Sequence, residues 1–404
     1  MEQQIPATGA AQAGASAGNP DPDPDPGQRQ RQTERALTRI RDDVRAMPAY
    51  HVQDAQGFVK LDAMENPYTL PPELQAKLGE RLGAVAVNRY PGERDGLLRA
   101  ALAAHAGMPA GFALMLGNGS DELISLLSMA LARPARSAES AGLAELGATP
   151  ATVLAPEPGF VMYAVSAQLQ GLRFVGVPLE PDFQLDVEAM LEAIVRERPA
   201  LVYLAYPNNP TAALWDDAAI ERIVEAQAEQ GGLVVFDEAY QPFADRSYLD
   251  RLARHGHVLL MRTMSKFGLA GVRIGYLIGP VSLIAQIDKL RPPYNVSVLN
   301  CECALFALAH SEVFAAQAEA IREQRARLLE ALATLRVERV WPSDANMILV
   351  RVLSAARTFD GMKLRGVLVK NVSKMHPLLS ECLRLTVGTP DENTQMLAAL
   401  EASL

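Results

Sequence analysis

Short, unbroken apolar runs recur along the middle of the chain, at 112–116, 152–155, 174–177, 200–205, 232–236, 258–261 and 274–278. Runs of this length without polar alternation predict strands buried on both faces. Helical patterns lie between them, for example at 123–131 and 219–228. Strands that alternate with helices predict βαβ units and a mostly parallel sheet. Earlier in the chain, Val59, Leu61 and Met64 predict a short strand, and Pro71 and Pro72 open a helix at the position where a missing N–H costs nothing. The segment 97–105 predicts a helix with Leu97, Leu98 and Leu102 on one face. From about Cys301 the rhythm changes. Long helical patterns at 301–308 and 312–335 lead to strands at 340–352, 366–369 and 384–387, and a closing helix at 393–404.

This pattern predicts an α/β large domain, 81–304, with a smaller α+β domain made of 37–80 and 305–404. A chain of 404 residues suits two domains, or one large domain with an appendage. Residues 1–36 are Ala-, Gln-, Asp- and Pro-rich, with too few apolar residues to offset the entropy of ordering, and are expected to be disordered. A second low-complexity patch, 135–149, reads as a surface insertion or a loose helix.

Composition narrows the possible partners. With 38 basic and 47 acidic residues the net charge is −9, which disfavours nucleic acid or an anionic membrane as the main partner. An anionic small molecule must then be held by local arginines and lysines. Cys301, Cys303 and Cys382 form neither a disulfide framework nor a zinc pattern, so no metal is expected and a reducing compartment is the simplest expectation. No apolar stretch reaches membrane-span length and no hydrophobic signal segment opens the chain, so a cytoplasmic protein is expected.

The candidate chemistry gathers where the predicted strands end. The run 258–261 gives way to Arg262, Thr263, Met264 and Ser265, and then to Lys266 beside Gly268 and Gly271. Open α/β sheets bind ligands outside the carboxyl ends of their strands. A partly desolvated lysine there can lose its proton and act as a nucleophilic amine that forms a Schiff base. Arg273 follows as a clamp for phosphate. Gly117 to Glu122 is a glycine-rich turn feeding a helix, with Ser120 or Asp121 available as N-cap, and its free N–H groups suit an anion. Two further predicted strands end in Asn208-Asn-Pro-Thr211 and in Asp237-Glu-Ala-Tyr240. Each of these residues has an ordinary structural reading by itself, as a turn, loop or core residue. Their joint order changes that.

With Asn208 to Thr211, Asp237 to Tyr240, Ser265-Lys266, Arg273 and Arg384-Leu-Thr-Val-Gly388, the chain resembles the fold-type I pyridoxal-phosphate aminotransferases over roughly 45–400. Within them it is most similar to the histidinol-phosphate aminotransferases, through Leu61 to Tyr68, Arg89-Tyr90-Pro91, Arg262 to Arg273, and Arg384 to Asn393. The resemblance implies transfer of an amino group between L-histidinol phosphate and 2-oxoglutarate, in histidine biosynthesis, with pyridoxal 5'-phosphate as cofactor.

It also implies roles. Lys266 would carry the cofactor and move the substrate proton, and Asp237 would pair with the pyridine nitrogen. Asn209 and Tyr240 would hydrogen-bond the ring's phenolic oxygen, and Phe160 would stack on the ring in place of the usual tyrosine. The phosphate would rest on the N–H groups of Gly119, Ser120 and Asp121, with Thr263, Ser265 and Arg273. Tyr90 would reach the phosphate in a neighbouring subunit, which implies a homodimer with shared sites. Arg384 would hold the donor's carboxylate and, with Tyr50, the substrate phosphate; Asn66 and Lys370 complete the expected substrate contacts.

The chain departs from the family pattern in three places. Lys370 stands where arginine is common, so a bidentate contact becomes a point charge. Ala212 replaces a usual glycine, and Met64 a frequent asparagine. The alternatives are an aromatic-amino-acid aminotransferase, a decarboxylase of threonine phosphate, or a non-catalytic cofactor-binding regulator. The last usually carries a DNA-binding helix-turn-helix, which the acidic, Pro-rich N-terminal segment cannot supply.

Overall fold

The structure is a computed structural model that describes residues 26–47, 53–132 and 150–404. By its internal contacts the chain divides into two units, Met1–Gln53 and Asp54–Leu404. The first unit carries two helices, Pro26–Leu37 and Asp42–Ala46. The expectation of disorder therefore needs correction for its last residues. Pro26, the last of the Asp-Pro prolines, occupies the first helical position, and no proline follows it up to Leu37. Gln30 then donates to Glu34 one turn on, at 3.1 Å. Residues 1–25, Tyr50 and the 135–149 patch lie outside the described residues.

The second unit contains every described strand: β1 Val59–Lys60, β2 Phe112–Gly117, β3 Thr152–Glu157, β4 Arg173–Pro178, β5 Leu201–Ala205, β6 Leu233–Asp237, β7 Val258–Thr263, β8 Gly275–Pro280, β9 Arg339–Val340, β10 Met347–Arg351, β11 Val367–Leu368, β12 Lys370–Asn371 and β13 Cys382–Thr386. A seven-stranded sheet runs in the order β2-β8-β7-β6-β5-β3-β4. Strand β8 is antiparallel to both its neighbours, and the other adjacent strands pair in parallel. The sheet is mostly parallel, as its unalternated apolar runs predict.

Those runs are apolar because both faces of the sheet are covered. Val202, Leu204, Val234, Phe236, Val258 and Leu260 pack into the core on one face. The residues between them, Leu201, Tyr203, Val235, Leu259 and Met261, pack into the core on the other. A period of two thus divides each run between two hydrophobic layers. Helices fill the layers: Arg94–Ala106 contributes Leu98 and Leu102 to the first, and Ser120–Leu131 contributes Leu123, Ile124 and Leu127 to the second.

A four-stranded antiparallel sheet, β12-β13-β10-β9, lies in the C-terminal part of the chain, with β1 and β11 pairing in parallel separately. Helices Ser311–Leu332 and Pro390–Glu401 bury Ile321, Leu328, Met396 and Leu400 with this sheet in a third core. The single strand expected at 340–352 is two, β9 and β10. Pro342 cannot donate to a ladder, and Asp344 is drawn off instead: its N–H donates to the Ala212 carbonyl at 2.8 Å and its carboxylate accepts from Leu214 N. Ala212 holds φ +60°, the left-handed region where a glycine costs less. The expected domain boundary at 304/305 falls inside one helix, Val298–Ala309. Among the described residues no single helix is long and apolar enough to cross a membrane.

Candidate active site

Parallel register brings the ends of β5, β6 and β7 side by side, with Ala205 opposite Asp237 and Asp237 opposite Met261. Beyond these ends the chain turns through Asn209, Tyr240 and Lys266, and all three line one cavity of about 340 Å³. Asp237, Phe160, Thr263, Ser265, Arg273, Ser120 and Asp121 line it too. This is the carboxyl-end crevice that the strand order predicts.

Lys266 lies in an irregular helical turn, Ser265–Leu269, whose Gly268 sits at φ +135°. The side chain of Phe314 would be 2.7 Å from a Cβ at Gly268, so only glycine suits this turn. Lys266 Nζ donates to the Ala63 carbonyl at 2.9 Å and stands 5.9 Å from the centre of the Tyr240 ring. Burial, and then the nearby Arg384, bring its pKa down to about 8. A substantial share of the amine is therefore neutral near pH 8, as a nucleophile requires.

Asp237 is buried at the end of β6. Tyr163 donates to its Oδ2 at 2.7 Å and Ala239 N to its Oδ1 at 3.1 Å. Burial still prevails over these two bonds and pushes its pKa up to about 6. Tyr163, stacked on Tyr203 at 4.2 Å and 2°, is a residue that motif reading alone passes over. It ends the segment Pro158 to Tyr163 that supplies Phe160, and the Phe160 ring meets it edge-on at 5.6 Å. Next to Asp237, Glu238 takes Arg262 in a buried ion pair at 2.8 Å, which braces β6 against β7.

Asn209 Oδ1 accepts from Arg384 Nη1 at 2.8 Å, and Arg384 Nη2 donates to the Asp62 carbonyl at 2.7 Å. Arg384 thus reaches from β13 to a residue of the cavity wall. The Tyr240 hydroxyl meets the Met64 sulfur at 3.4 Å, and Met64 itself holds φ +55°.

At the other end of the cavity, Gly119 precedes helix Ser120–Leu131 with φ +80°. It occupies the N-cap position expected of Ser120 or Asp121, and no side chain caps the helix. A Cβ at Gly119 would stand 2.5 Å from Arg273 Nη2. Arg273 Nη1 donates to Ser265 Oγ and Nη2 faces Asp121 Oδ2, each at 3.5 Å, and Thr263 Oγ1 bonds Ser265 Oγ at 3.0 Å. A helix N-terminus, a guanidinium and two hydroxyls form an anion cradle. These residues fit a phosphorylated heteroaromatic aldehyde: cradle for phosphate, amine for aldehyde, buried carboxyl for a ring nitrogen.

Tyr90, Asn66 and Lys370 do not line this cavity. Tyr90 is 73% exposed and stacks on Tyr294 at 4.2 Å, away from the cavity lining. Asn66 ties its segment to the helix Ser311–Leu332 by donating to Gln317, and accepts locally from Tyr68 N. Lys370 is half-buried on β12, opposite Arg384 in the register. Tyr50 lies outside the described residues.

Residues 56–400 match the family of class I and II aminotransferases, and the chain belongs to that family. Its relatives narrow the likeness. It is 67% identical to the histidinol-phosphate aminotransferase of Methylibium petroleiphilum, over 90% of this chain and 94% of that one. To the enzyme of the same name from Acidovorax ebreus it is 64% identical, over 91% of this chain and 98% of that one. Among solved structures, histidinol-phosphate aminotransferase from Sinorhizobium meliloti in complex with pyridoxal-5'-phosphate matches at 25% identity. The TM-score is 0.74, covering 90% of this chain and 97% of that one.

Proposed function

We propose that the protein is a pyridoxal-phosphate-dependent histidinol-phosphate aminotransferase. It moves an amino group between L-histidinol phosphate and 2-oxoglutarate in histidine biosynthesis. The observation that carries this reading is the meeting of Lys266, Asp237 and Arg273 in one cavity, in a chain 67% identical to an enzyme of that name. Identity at this level over most of the chain favours it over an aromatic-amino-acid aminotransferase or a threonine-phosphate decarboxylase.

Pyridoxal phosphate supplies, when bound, an electron sink for the carbanion left by removal of a substrate proton. Lys266 Nζ would hold its aldehyde carbon and would move the proton at substrate Cα, a task suited to an amine brought down to about 8. Asp237 would pair with the ring nitrogen and favour its protonated form. Asn209 and Tyr240 would hold the phenolic oxygen, and Phe160 would cover the ring. Gly119, Ser120, Asp121, Thr263, Ser265 and Arg273 would hold the phosphate. Arg384 takes the donor's carboxylate or phosphate, with Tyr50, Asn66 and Lys370 around the substrate. Pyridoxal phosphate, the amino donor and the 2-oxo acid are all anionic small molecules, so these local cations act against the chain's overall charge of −9.

The enzyme works in the cytoplasm as a homodimer, and Tyr90 serves the phosphate of the second copy. Its exposure beside Tyr294 supports that role. The proposed domains are a cofactor-binding one, 81–304, and a smaller α+β one of 37–80 and 305–404, with the boundary between them shifted off the helix Val298–Ala309.

The test is the visible absorption spectrum of the purified protein with pyridoxal phosphate, before and after L-histidinol phosphate is added without an oxo acid. A yellow band that bleaches supports cofactor, half-reaction and substrate together. A band bleached only by an aromatic amino acid would replace the substrate, and no band at all would remove the role of Lys266. Mixed dimers of Tyr90→Phe and Lys266→Ala subunits test the shared site, and formed heterodimers without activity would end that part of the reading.

A further inference from the structure

Three carboxylates line the active-site cavity, and two of them are committed. Asp237 is buried and takes Tyr163 and the Ala239 N–H. Asp121 lies 3.5 Å from Arg273, inside the phosphate cradle. The third, Glu65, is on the cavity wall two residues from Ala63, whose carbonyl holds Lys266 Nζ. Its side chain is 45% accessible. Lys60 forms a close ion pair with Glu65 Oε2 and also lies 3.5 Å from Asp62 Oδ1. Among the described residues Glu65 Oε1 has no hydrogen-bond partner.

This arrangement has a direction. Arg273 and Arg384 supply cations for the anionic ends of cofactor and substrate. The amino donor of the proposed reaction also carries an imidazole, which presents an N–H in either charge state and a full positive charge when protonated. A cation can bond only the acceptor nitrogen of the neutral ring and repels the protonated one, whereas an anchored carboxylate accepts the N–H in either state. The field of Glu65 reaches the reacting amine, since it raises the pKa of Lys266 against the larger effect of burial. Glu65 lines the same cavity as Lys266 and is two residues from the carbonyl that holds its amine, so it borders the space where the substrate's amino carbon must sit.

We propose that Glu65, held by Lys60, is the specificity residue that accepts the imidazole N–H of the amino donor. Lys60 limits the rotamers of a flexible side chain, so less freedom is lost when the ring docks. The inference rests on the proposed substrate.

The experiment compares two half-reactions on the cofactor-loaded enzyme, one with L-histidinol phosphate and one with L-glutamate, for the natural protein, Glu65→Gln and Glu65→Ala. Loss of a hydrogen bond to a charged acceptor predicts a fall of roughly tenfold or more in kcat/KM for histidinol phosphate relative to glutamate. The loss should appear in KM rather than in kcat. In the natural enzyme KM for histidinol phosphate should rise as pH passes upward through the imidazole range, about 6.5, and Glu65→Gln should flatten that rise. Lys60→Met should shift the donor ratio in the same direction by less. Equal losses for both donors, or no loss, would overturn the assignment, because a purely structural glutamate predicts no donor preference and no change in the pH profile. If the natural enzyme reacts with glutamate but not with histidinol phosphate, the substrate reading itself is wrong and this inference falls with it.

Discussion

Tyr163 donates a 2.7 Å hydrogen bond to Asp237 from a ring fixed by stacking on Tyr203. The bond favours the charged carboxylate while burial opposes it, and burial prevails, leaving Asp237 at about 6. The balance is open to test. Tyr163→Phe removes one of two stabilising bonds, so Asp237 should move further up. Pyridoxal phosphate affinity should then weaken by roughly five- to tenfold at pH 7, the worth of one such bond. A titration followed by visible absorption checks it, and an unchanged affinity would show that Tyr163 does not set the charge at Asp237.

The same carboxyl links stability to pH in the cofactor-free protein. A carboxylate whose folded pKa is raised, here to about 6 against an unfolded value of about 3.9, binds a proton more tightly when folded. Its ionisation thus costs stability that is fully lost above pH 6 and recovered as pH falls towards 4. The natural apoprotein should therefore gain stability relative to Asp237→Asn as pH is lowered from 7 to 5. Thermal unfolding of the two proteins across that range checks the sign, and parallel curves would contradict it.

What could be read from the sequence follows from how local each signal is. The strand runs 200–205, 232–236 and 258–261 are legible because burial on both faces leaves them no polar positions. Asp237, Asn209 and Lys266 are legible because each lies within a few residues of the end of such a run. Tyr163 is not, since a tyrosine inside the helix Met162–Leu169 is indistinguishable from core until the sheet brings Asp237 across to it. The ties of Ala63 to Lys266 and of Met64 to Tyr240 span more than a hundred and fifty residues of chain, and no periodicity reports such contacts. The helix from Pro26 was hidden by its composition, because a proline that breaks a helix internally is well suited to begin one.

Lys266 gives a second dependence on pH. With its amine brought down to about 8, the rate of cofactor attachment to the apoprotein should climb with pH and level off above that value. Arg384 is the next contributor to the shift after burial, so Arg384→Met should move the midpoint to higher pH. Stopped-flow absorbance after mixing apoprotein with pyridoxal phosphate measures both. For stability the sign is the reverse of that at Asp237: a lysine lowered on folding destabilises the fold below pH 8, and the cost is relieved as pH rises towards about 10.4.

Glu238 and Arg262 test the scaffold rather than the chemistry. The Glu238 side chain is inaccessible and accepts from Arg262 Nε at 2.9 Å, Ser247 Oγ at 2.9 Å and Tyr248 N at 2.6 Å. Glu238→Ala strands a guanidinium that is itself only 9% accessible, and breaking a buried pair from one side costs about 3–5 kcal/mol. Denaturant unfolding should show a loss of that order. A loss below about 1 kcal/mol would mean that water reaches Arg262 and screens the pair.

Gly119 carries the sharpest local demand. Its φ of +80° with ψ 173° is a conformation essentially confined to glycine, costing any residue with a Cβ about 1–3 kcal/mol. The added methyl would meet Arg273 Nη2 at 2.5 Å and its Cζ at 3.1 Å, and the backbone has little room to move. From the other side Gly275 approaches so closely that a Cβ there would stand 2.6 Å from the Gly119 carbonyl carbon. Gly119→Ala must therefore push the guanidinium out of the cradle while the sheet and helices stay in place. The expected result is a loss of at least about tenfold in pyridoxal phosphate affinity, with unchanged far-ultraviolet circular dichroism. Arg273→Ala should weaken binding in the same way, and the double variant should lose little more, because both changes remove one contact. Full additivity would show that Gly119 and Arg273 serve the phosphate independently, the glycine through its own N–H.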